Sequence, residues 1–134
     1  MIRAFVKAIN ARDWPRLDQL MAADFVRHSE AAGPPAVRSR EQAKEFLRRE
    51  YETFPDGRER LEDLVAEGDK IAVRHRFQGI QRGPMGPYPP TGKAMTSNYL
   101  AIYRLEDGKI AEAWVEWDNL SALVQLGHQK PPDP

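Results

Sequence analysis

Three carboxylates and two tryptophans fall within the stretch Gly108-Lys109-Ile110-Ala111-Glu112-Ala113-Trp114-Val115-Glu116-Trp117-Asp118. The stretch reads as a strand that opens from a turn and runs to a carboxylate. Side chains alternate along a strand, which puts Ile110, Glu112, Trp114, Glu116 and Asp118 on one face. Lys109, Ala111, Ala113, Val115 and Trp117 take the other. A carboxylate set against an aromatic wall and away from water has a raised pKa and can both give and take a proton. Asp118 is therefore the leading acid/base candidate, with Trp114 as its apolar wall and a flat surface for substrate. Glu116, on the same face, can share the proton work or sit at an open edge. Asp118 also precedes Asn119-Leu120-Ser121-Ala122-Leu123, so it can cap a short helix. The two roles are compatible.

The other candidates are scattered. His28, at the start of a loop, can hydrogen-bond an oxyanion or position substrate, or it is structural. His75 shares a strand face with Ile71, Val73 and Phe77, as pocket lining or as a satisfied interior histidine. Phe54 and Phe77 are expected as core or pocket wall. Asn98 and Tyr99 alternate, so at most one points inward, and Asn98 is assigned to the pocket. His28, His75 and His128 show no metal-ligand spacing, so no metal is expected. No glycine-rich phosphate loop or nucleophile elbow is present, which argues against a nucleophilic hydrolase.

Helices come first and strands later. Ile2, Phe5, Val6 and Ile9 have helical spacing, in a helix that ends near Asn10. Asp13-Trp14-Pro15 starts a second helix, with Asp13 as cap. Asp24 to His28 is a short extended piece, and Ala31 to Val37 a loop. Ser39-Arg40-Glu41-Gln42 matches a capping box, and a third helix runs from it to about Thr53. Arg60 to Glu67, Lys70 to Gln78 and Ala94 to Arg104 read as strands, and Asp107-Gly108 as a hairpin turn. Gly79 to Lys93, rich in proline, is a loop long enough to form a rim or lid. Asn119 to Leu126 is a short helix stopped by Gly127.

The chain of 134 residues argues for one domain over residues 1–127, with 128–134 a frayed tail. Twenty basic and twenty acidic residues cancel, and no basic stripe interleaves with aromatics, so no nucleic-acid partner is expected. Cysteine is absent, which removes disulfides and thiolate chemistry. With no signal-like segment and no apolar run long enough to span a bilayer, a cytoplasmic protein without a membrane partner is expected.

Phe5-Val6 through Asn10-Ala11-Arg12-Asp13, Asp24-Phe25-Val26-Arg27-His28, Glu62 to Arg74, Pro90-Thr91-Gly92-Lys93 and Ile102 to Trp114, continuing to Asp118 and Leu123-Val124-Gln125-Leu126-Gly127, follow one another in a recognisable order. With these pieces the chain resembles the SnoaL-like polyketide cyclase (ester cyclase) family of the NTF2-like superfamily. The resemblance implies an α+β cone, a curved antiparallel sheet with N-terminal helices packed on its concave face around a hydrophobic pocket. It implies a homodimer through the outer sheet face, for which Ala111, Ala113, Val115 and Trp117 are apolar enough. It also implies a cofactor-free intramolecular aldol closure of a polyketide ring, with the acid/base aspartate matching Asp118 and a pocket histidine matching His28. Many relatives carry a histidine where Ala113 stands.

Three functions fit these observations. The first is acid/base catalysis on a small hydrophobic carbonyl compound through Asp118. The second is epoxide opening by an Asp-Arg-Asp constellation, for which Arg74 or Arg76 can supply the arginine but no second aspartate is evident. The third is non-catalytic binding of a hydrophobic small molecule.

Overall fold

The computed structural model describes residues 1–133. Pro134, the end of the expected frayed tail, lies outside the described residues. Three helices come first or nearly so: α1 (Ile2–Asn10), α2 (Trp14–Leu20) and, after strand β1 (Met21–His28), α3 (Arg40–Thr53). Strands β2 (Arg58–Glu67), β3 (Lys70–Ile80), β4 (Ala94–Glu106) and β5 (Lys109–Glu116) follow, and α4 (Asn119–Gln125) closes the chain.

The helices form where the caps and apolar spacing require. α1 buries Ile2, Phe5, Val6, Ala8 and Ile9. Asp13 caps α2 by accepting from the Arg16 N–H at 3.2 Å. Ser39 caps α3 by accepting from the Gln42 N–H at 3.1 Å. The Gln42 side chain reaches back to the Arg38 N–H at 2.7 Å, so orphan donors on both sides of the cap are satisfied.

The strands form one open sheet in the order β1-β5-β4-β3-β2. β2, β3, β4 and β5 pair antiparallel, but β1 runs parallel to β5. This corrects the expectation of a curved, wholly antiparallel cone: the sheet is mixed and does not close, with β1 and β2 at its two edges. The physical reason lies in the connections. Short turns join β2 to β3 and β4 to β5 and force antiparallel pairing, whereas β1 reaches β5 only after the whole of α3 and three strands, so no turn sets its direction.

A second correction concerns β5. Arg104 pairs with Glu112 and Leu105 with Ile110, so Ala111 is an extra residue, a β-bulge. Ile110 and Ala113 are therefore both buried on the helix-facing side, and parity changes between them. Val115 and Trp117 follow Ala113 inward, while Glu112, Trp114 and Glu116 face outward. Of the apolar set expected to meet a partner chain, Ala113, Val115 and Trp117 line the interior and Ala111 is the bulge residue.

The expected rim or lid is a clamped loop. Gln81 is fully buried. Its amide N–H groups donate to the carbonyls of Gly83 and Tyr88 at 3.2 and 3.3 Å, and its oxygen accepts from His128 at 2.7 Å. The backbone N–H groups of Arg82 and Gly83 both donate to the Thr53 carbonyl. Nothing from residues 81–93 reaches the interior cavity.

Candidate active site

A cavity of about 140 Å³ lies between the sheet and helices α1 and α3. That is on the order of the volume that admits a single aromatic ring. Phe5 and Ile9 of α1 and Phe46 and Leu47 of α3 cover it. Met21 and Phe25 of β1, Phe77 of β3 and Met95 of β4 line it, as do Ala113, Val115 and Trp117 at the β5 end. Into this apolar wall project Arg27, Glu50, Tyr51, Glu59, Tyr99 and Tyr103.

The polar residues form a connected cluster on the inner face of three strands. The Tyr99 hydroxyl hydrogen-bonds Glu59 Oε1 at 2.7 Å. His75, on the strand between them, stacks on Tyr99 with ring centroids 4.5 Å apart and shares a 2.8 Å hydrogen bond through Nε2 with the Tyr103 hydroxyl. His75 Nδ1 stands 3.8 Å from Glu59 Oε2, and both atoms are buried without another partner. Asn10 fixes the backbone of this edge strand. Its side-chain amide donates to the Glu59 carbonyl at 2.9 Å and accepts from the Glu59 N–H at 2.8 Å, as a neighbouring strand would.

Burial decides the protonation of these groups, because removing a charge from water disfavours the charged form. Burial raises Glu59 to about 8, partly opposed by the Tyr99 hydrogen bond and reinforced by the charge of Glu50. Burial raises Glu50 to about 7, opposed by the nearby positive charge of Arg27. It lowers His75 to about 4, so the imidazole is neutral near pH 7. The Tyr99 and Tyr103 hydroxyls are pushed upward by burial first and by Glu59 second. At neutral pH the cavity wall thus holds a neutral Glu59 and a Glu50 poised to exchange its proton, with a neutral His75 behind Tyr99.

The residues singled out in the sequence divide between the two faces of the sheet. Phe77 lines the cavity, and His75 lies directly behind the Tyr99 ring. Phe54 is buried beside it in the core, packed edge-on against Phe77 at 5.4 Å. Asn98 is exposed on the outer face, because Tyr99 pairs with the inward His75 and takes the inner position. Asp118 is exposed and caps α4, accepting from the Ser121 N–H at 2.9 Å. Trp114 lies on the outer face, stacked on His28 with centroids 5.3 Å apart. His28 Nε2 is 2.6 Å from Glu112, which also accepts from Arg104 at 2.9 Å. Glu116 accepts from the Glu30 N–H at 2.6 Å. Arg74 pairs with Asp63 at 2.7 Å on the outer side, and among the described residues no Asp-Arg-Asp constellation forms around it. Among the described residues no cluster of three or more His, Cys, Asp or Glu is arranged to hold a metal.

Glu50, Glu59, Arg27, Tyr99 and Tyr103 are functional candidates that sequence reasoning passed over. Two of them carry a readable signal. Glu50 continues the spacing Ala43, Phe46, Leu47 at i, i+3, i+4 and i+7, a carboxylate on the apolar stripe of a helix. Arg27 alternates with the buried Phe25 and so points inward.

The SnoaL-like polyketide cyclase model matches residues 1–126. The chain is similar to IdmH from Streptomyces antibioticus, a candidate polyketide cyclase, at 32% identity over 94% of this chain and 95% of that one, with a TM-score of 0.83. It is similar to TsrD from Streptomyces laurentii at 32% identity, over 96% and 92% of the two chains, with a TM-score of 0.86. AclR from Streptomyces galilaeus, a candidate hydroxylase, shares the fold at 24% identity, over 98% of this chain and 82% of that one, with a TM-score of 0.83. No curated protein sequence matches. A helix-covered apolar cavity, the strand order around it and a family match over nearly the full length lead to one assignment: the chain belongs to the SnoaL-like polyketide cyclase family.

Proposed function

We propose that the protein catalyses cofactor-free proton transfer on a small hydrophobic carbonyl compound, of the kind that drives an intramolecular aldol-type closure. The observation that carries this reading is the Tyr99–Glu59 hydrogen bond in the wall of an apolar cavity that also holds Glu50. Ionised Glu50 takes the proton next to the carbonyl, and the enolate oxygen accepts a hydrogen bond from Tyr99. In the free protein Tyr99 donates to Glu59 Oε1; as its hydroxyl turns to the enolate oxygen, neutral Glu59 donates to the phenol oxygen in exchange. The enolate carbon then attacks a second carbonyl of the same molecule, and the new alkoxide receives the proton. A neutral acid and a weakly basic carboxylate in one dry site are what such chemistry needs. Trp117 and Phe46 supply flat apolar walls for the substrate.

Asp118, to which the family resemblance assigns this role, stands one residue beyond Trp117 of the cavity wall, and one experiment separates the two routes. Exchange of α-protons of simple aryl ketones and 1,3-diketones in D2O, followed by NMR, should be accelerated by the wild type. Glu59→Gln and Tyr99→Phe should each lower that rate by about 10²-fold, the scale of an acid/base contribution. Asp118→Asn, which can still cap α4, should leave it unchanged. The reverse pattern would move the chemistry to Asp118. No exchange at all would favour a small-molecule-binding protein.

In this reading the protein works as a cytoplasmic homodimer. The outward cross-strand row Val65, Ala72, Ile102 and Trp114, ending at His28, is a continuous apolar stripe on the open face of the sheet. Val65 is 69% exposed and Ile102 43%, more than an isolated chain needs to leave open.

A further inference from the structure

Arg27 is the charged cavity group whose chemistry the proton-transfer reading leaves unused. It enters the cavity from β1, the edge strand, where its backbone N–H is fixed by the Val37 carbonyl at 3.0 Å. Its guanidinium carbon lies over the Phe46 ring, 3.9 Å from the centroid, a cation–π contact that holds the group at the wall. The group is half-buried, its Nε is buried without a hydrogen-bond partner, and no carboxylate of the described residues lies within ion-pair distance. Glu50 influences it only from farther off. The other fully buried side-chain atoms without a hydrogen-bond partner at this site are Glu59 Oε2 and His75 Nδ1, which stand 3.8 Å from each other. A guanidinium left in an apolar wall without an acceptor is costly, and its planar fork matches the two oxygens of a carboxylate.

Register sets what such a carboxylate must be attached to. Arg27 pairs with Ala113, and Ala113 pairs with Tyr103, so the three form one row across the inner face. Two strand spacings put Arg27 and Tyr103 about 10 Å apart at the backbone. The residue between them is an alanine, which leaves the floor open. Tyr103 and Tyr99 present the hydroxyl end of the cavity, and Arg27 the cationic end.

We propose that the ligand of this cavity is a small keto acid, with its carboxylate on Arg27 and its carbonyl at the tyrosine end, joined by a short apolar linker. This rests on the cavity being the substrate site and names the class of substrate. A neutral carbonyl compound would leave the guanidinium without a counter-charge. A carboxylate supplies one and fixes which end of the molecule faces Tyr99.

The test is an NMR titration of 15N-labelled protein with 3-benzoylpropanoate and with its methyl ester, which lacks the charge and adds one methyl group. The acid should bind about tenfold more tightly or better, the scale of one lost charge-assisted contact. Its largest shifts should fall on the amides of Phe46, Ala113 and Val115. Arg27→Gln should erase the preference by weakening the acid alone, and Glu50→Gln, which removes a competing negative charge, should strengthen it. Equal or tighter binding of the ester, a preference that survives Arg27→Gln, or no binding of the acid at the cavity would each overturn the assignment. The α-proton exchange assay on neutral ketones is independent of this result. Loss of the acid preference with exchange intact sinks the keto-acid assignment alone, and loss of exchange with the preference intact sinks the catalytic reading alone.

Discussion

Glu59 carries an acidic proton that the unfolded chain would release, and this has a consequence for stability. Its folded pKa is raised from 4.5 to about 8, so between these values the folded state holds more protons than the unfolded one. Stability therefore falls as pH rises through that window. His75 acts in the opposite sense. Lowered from 6.5 to about 4, it makes stability rise with pH between those values. The two slopes oppose each other below about pH 6.5, and Glu59, joined by Glu50 up to about 7, dominates above it. Urea unfolding should show a loss on the order of 2 kcal/mol from pH 6.5 to 8, at about 1.4 kcal/mol per titrating unit. Glu59→Gln should flatten most of that loss, and an unchanged slope in the variant would mean Glu59 ionises freely. None of this was legible at Glu59 itself, because a glutamate in a strand is ordinary until its neighbours are known. Its proton is held by burial among elements distant in the chain, with Tyr99, forty residues away, partly opposing the rise. By contrast Asp118 was legible as a helix cap from the five residues that follow it, and that local role is the one its hydrogen bond to Ser121 displays.

At the scale of elements, the bulge at Ala111 decides the most. Alternation is a sound rule within an uninterrupted strand, and counted from Ile110 it assigns Glu112, Trp114 and Glu116 to the interior. One inserted residue reverses parity and sends them outward, while Ala113, Val115 and Trp117 become cavity wall. Sequence alone marks no glycine or proline at this bulge. The loop between β3 and β4 shows the same limit. Its prolines and length suggest a lid, yet Gln81 satisfies two of its carbonyls and reaches His128, so the loop is held like a packed element. Gln81→Leu should leave those groups unsatisfied and cost about 2–4 kcal/mol. Hydrogen exchange should then rise across residues 82–93 while the amides of β3 and β4 stay protected. An unperturbed loop in the variant would show that the Thr53 contacts alone hold it.

For the whole molecule, the open sheet has two faces with different tasks. The inner face holds the cavity under α1 and α3. The outer face carries the stripe Val65, Ala72, Ile102 and Trp114 between charged rows that include the Asp63–Arg74 and Glu112–Arg104 pairs. In the dimer reading these flanking charges fix the register of two apposed stripes. Sedimentation should find a dimer for the wild type and a monomer for Ile102→Glu, with the fold retained by circular dichroism. A wild-type monomer at micromolar concentration would rule out this face as a self-association surface. None of the helices among the described residues is long and apolar enough to cross a membrane.

The sequence by itself determined the elements. Caps at Asp13, Ser39 and Asp118, apolar spacing in α1 and α3, and the Asp107-Gly108 turn all act over a few residues, so local physical chemistry fixes them. Family resemblance then carried the assignment of the chain as a whole. Tertiary structure alone decided that β1 lies parallel to β5, that a bulge inverts the β5 faces, and that Glu59, His75, Tyr99 and Tyr103 meet behind one cavity. Each of these depends on pairings between residues far apart in the chain. Periodicity reports that a side chain will be buried or exposed on its own element, but not which distant groups will enclose it, and a carboxyl keeps its proton when distant elements close it off from water.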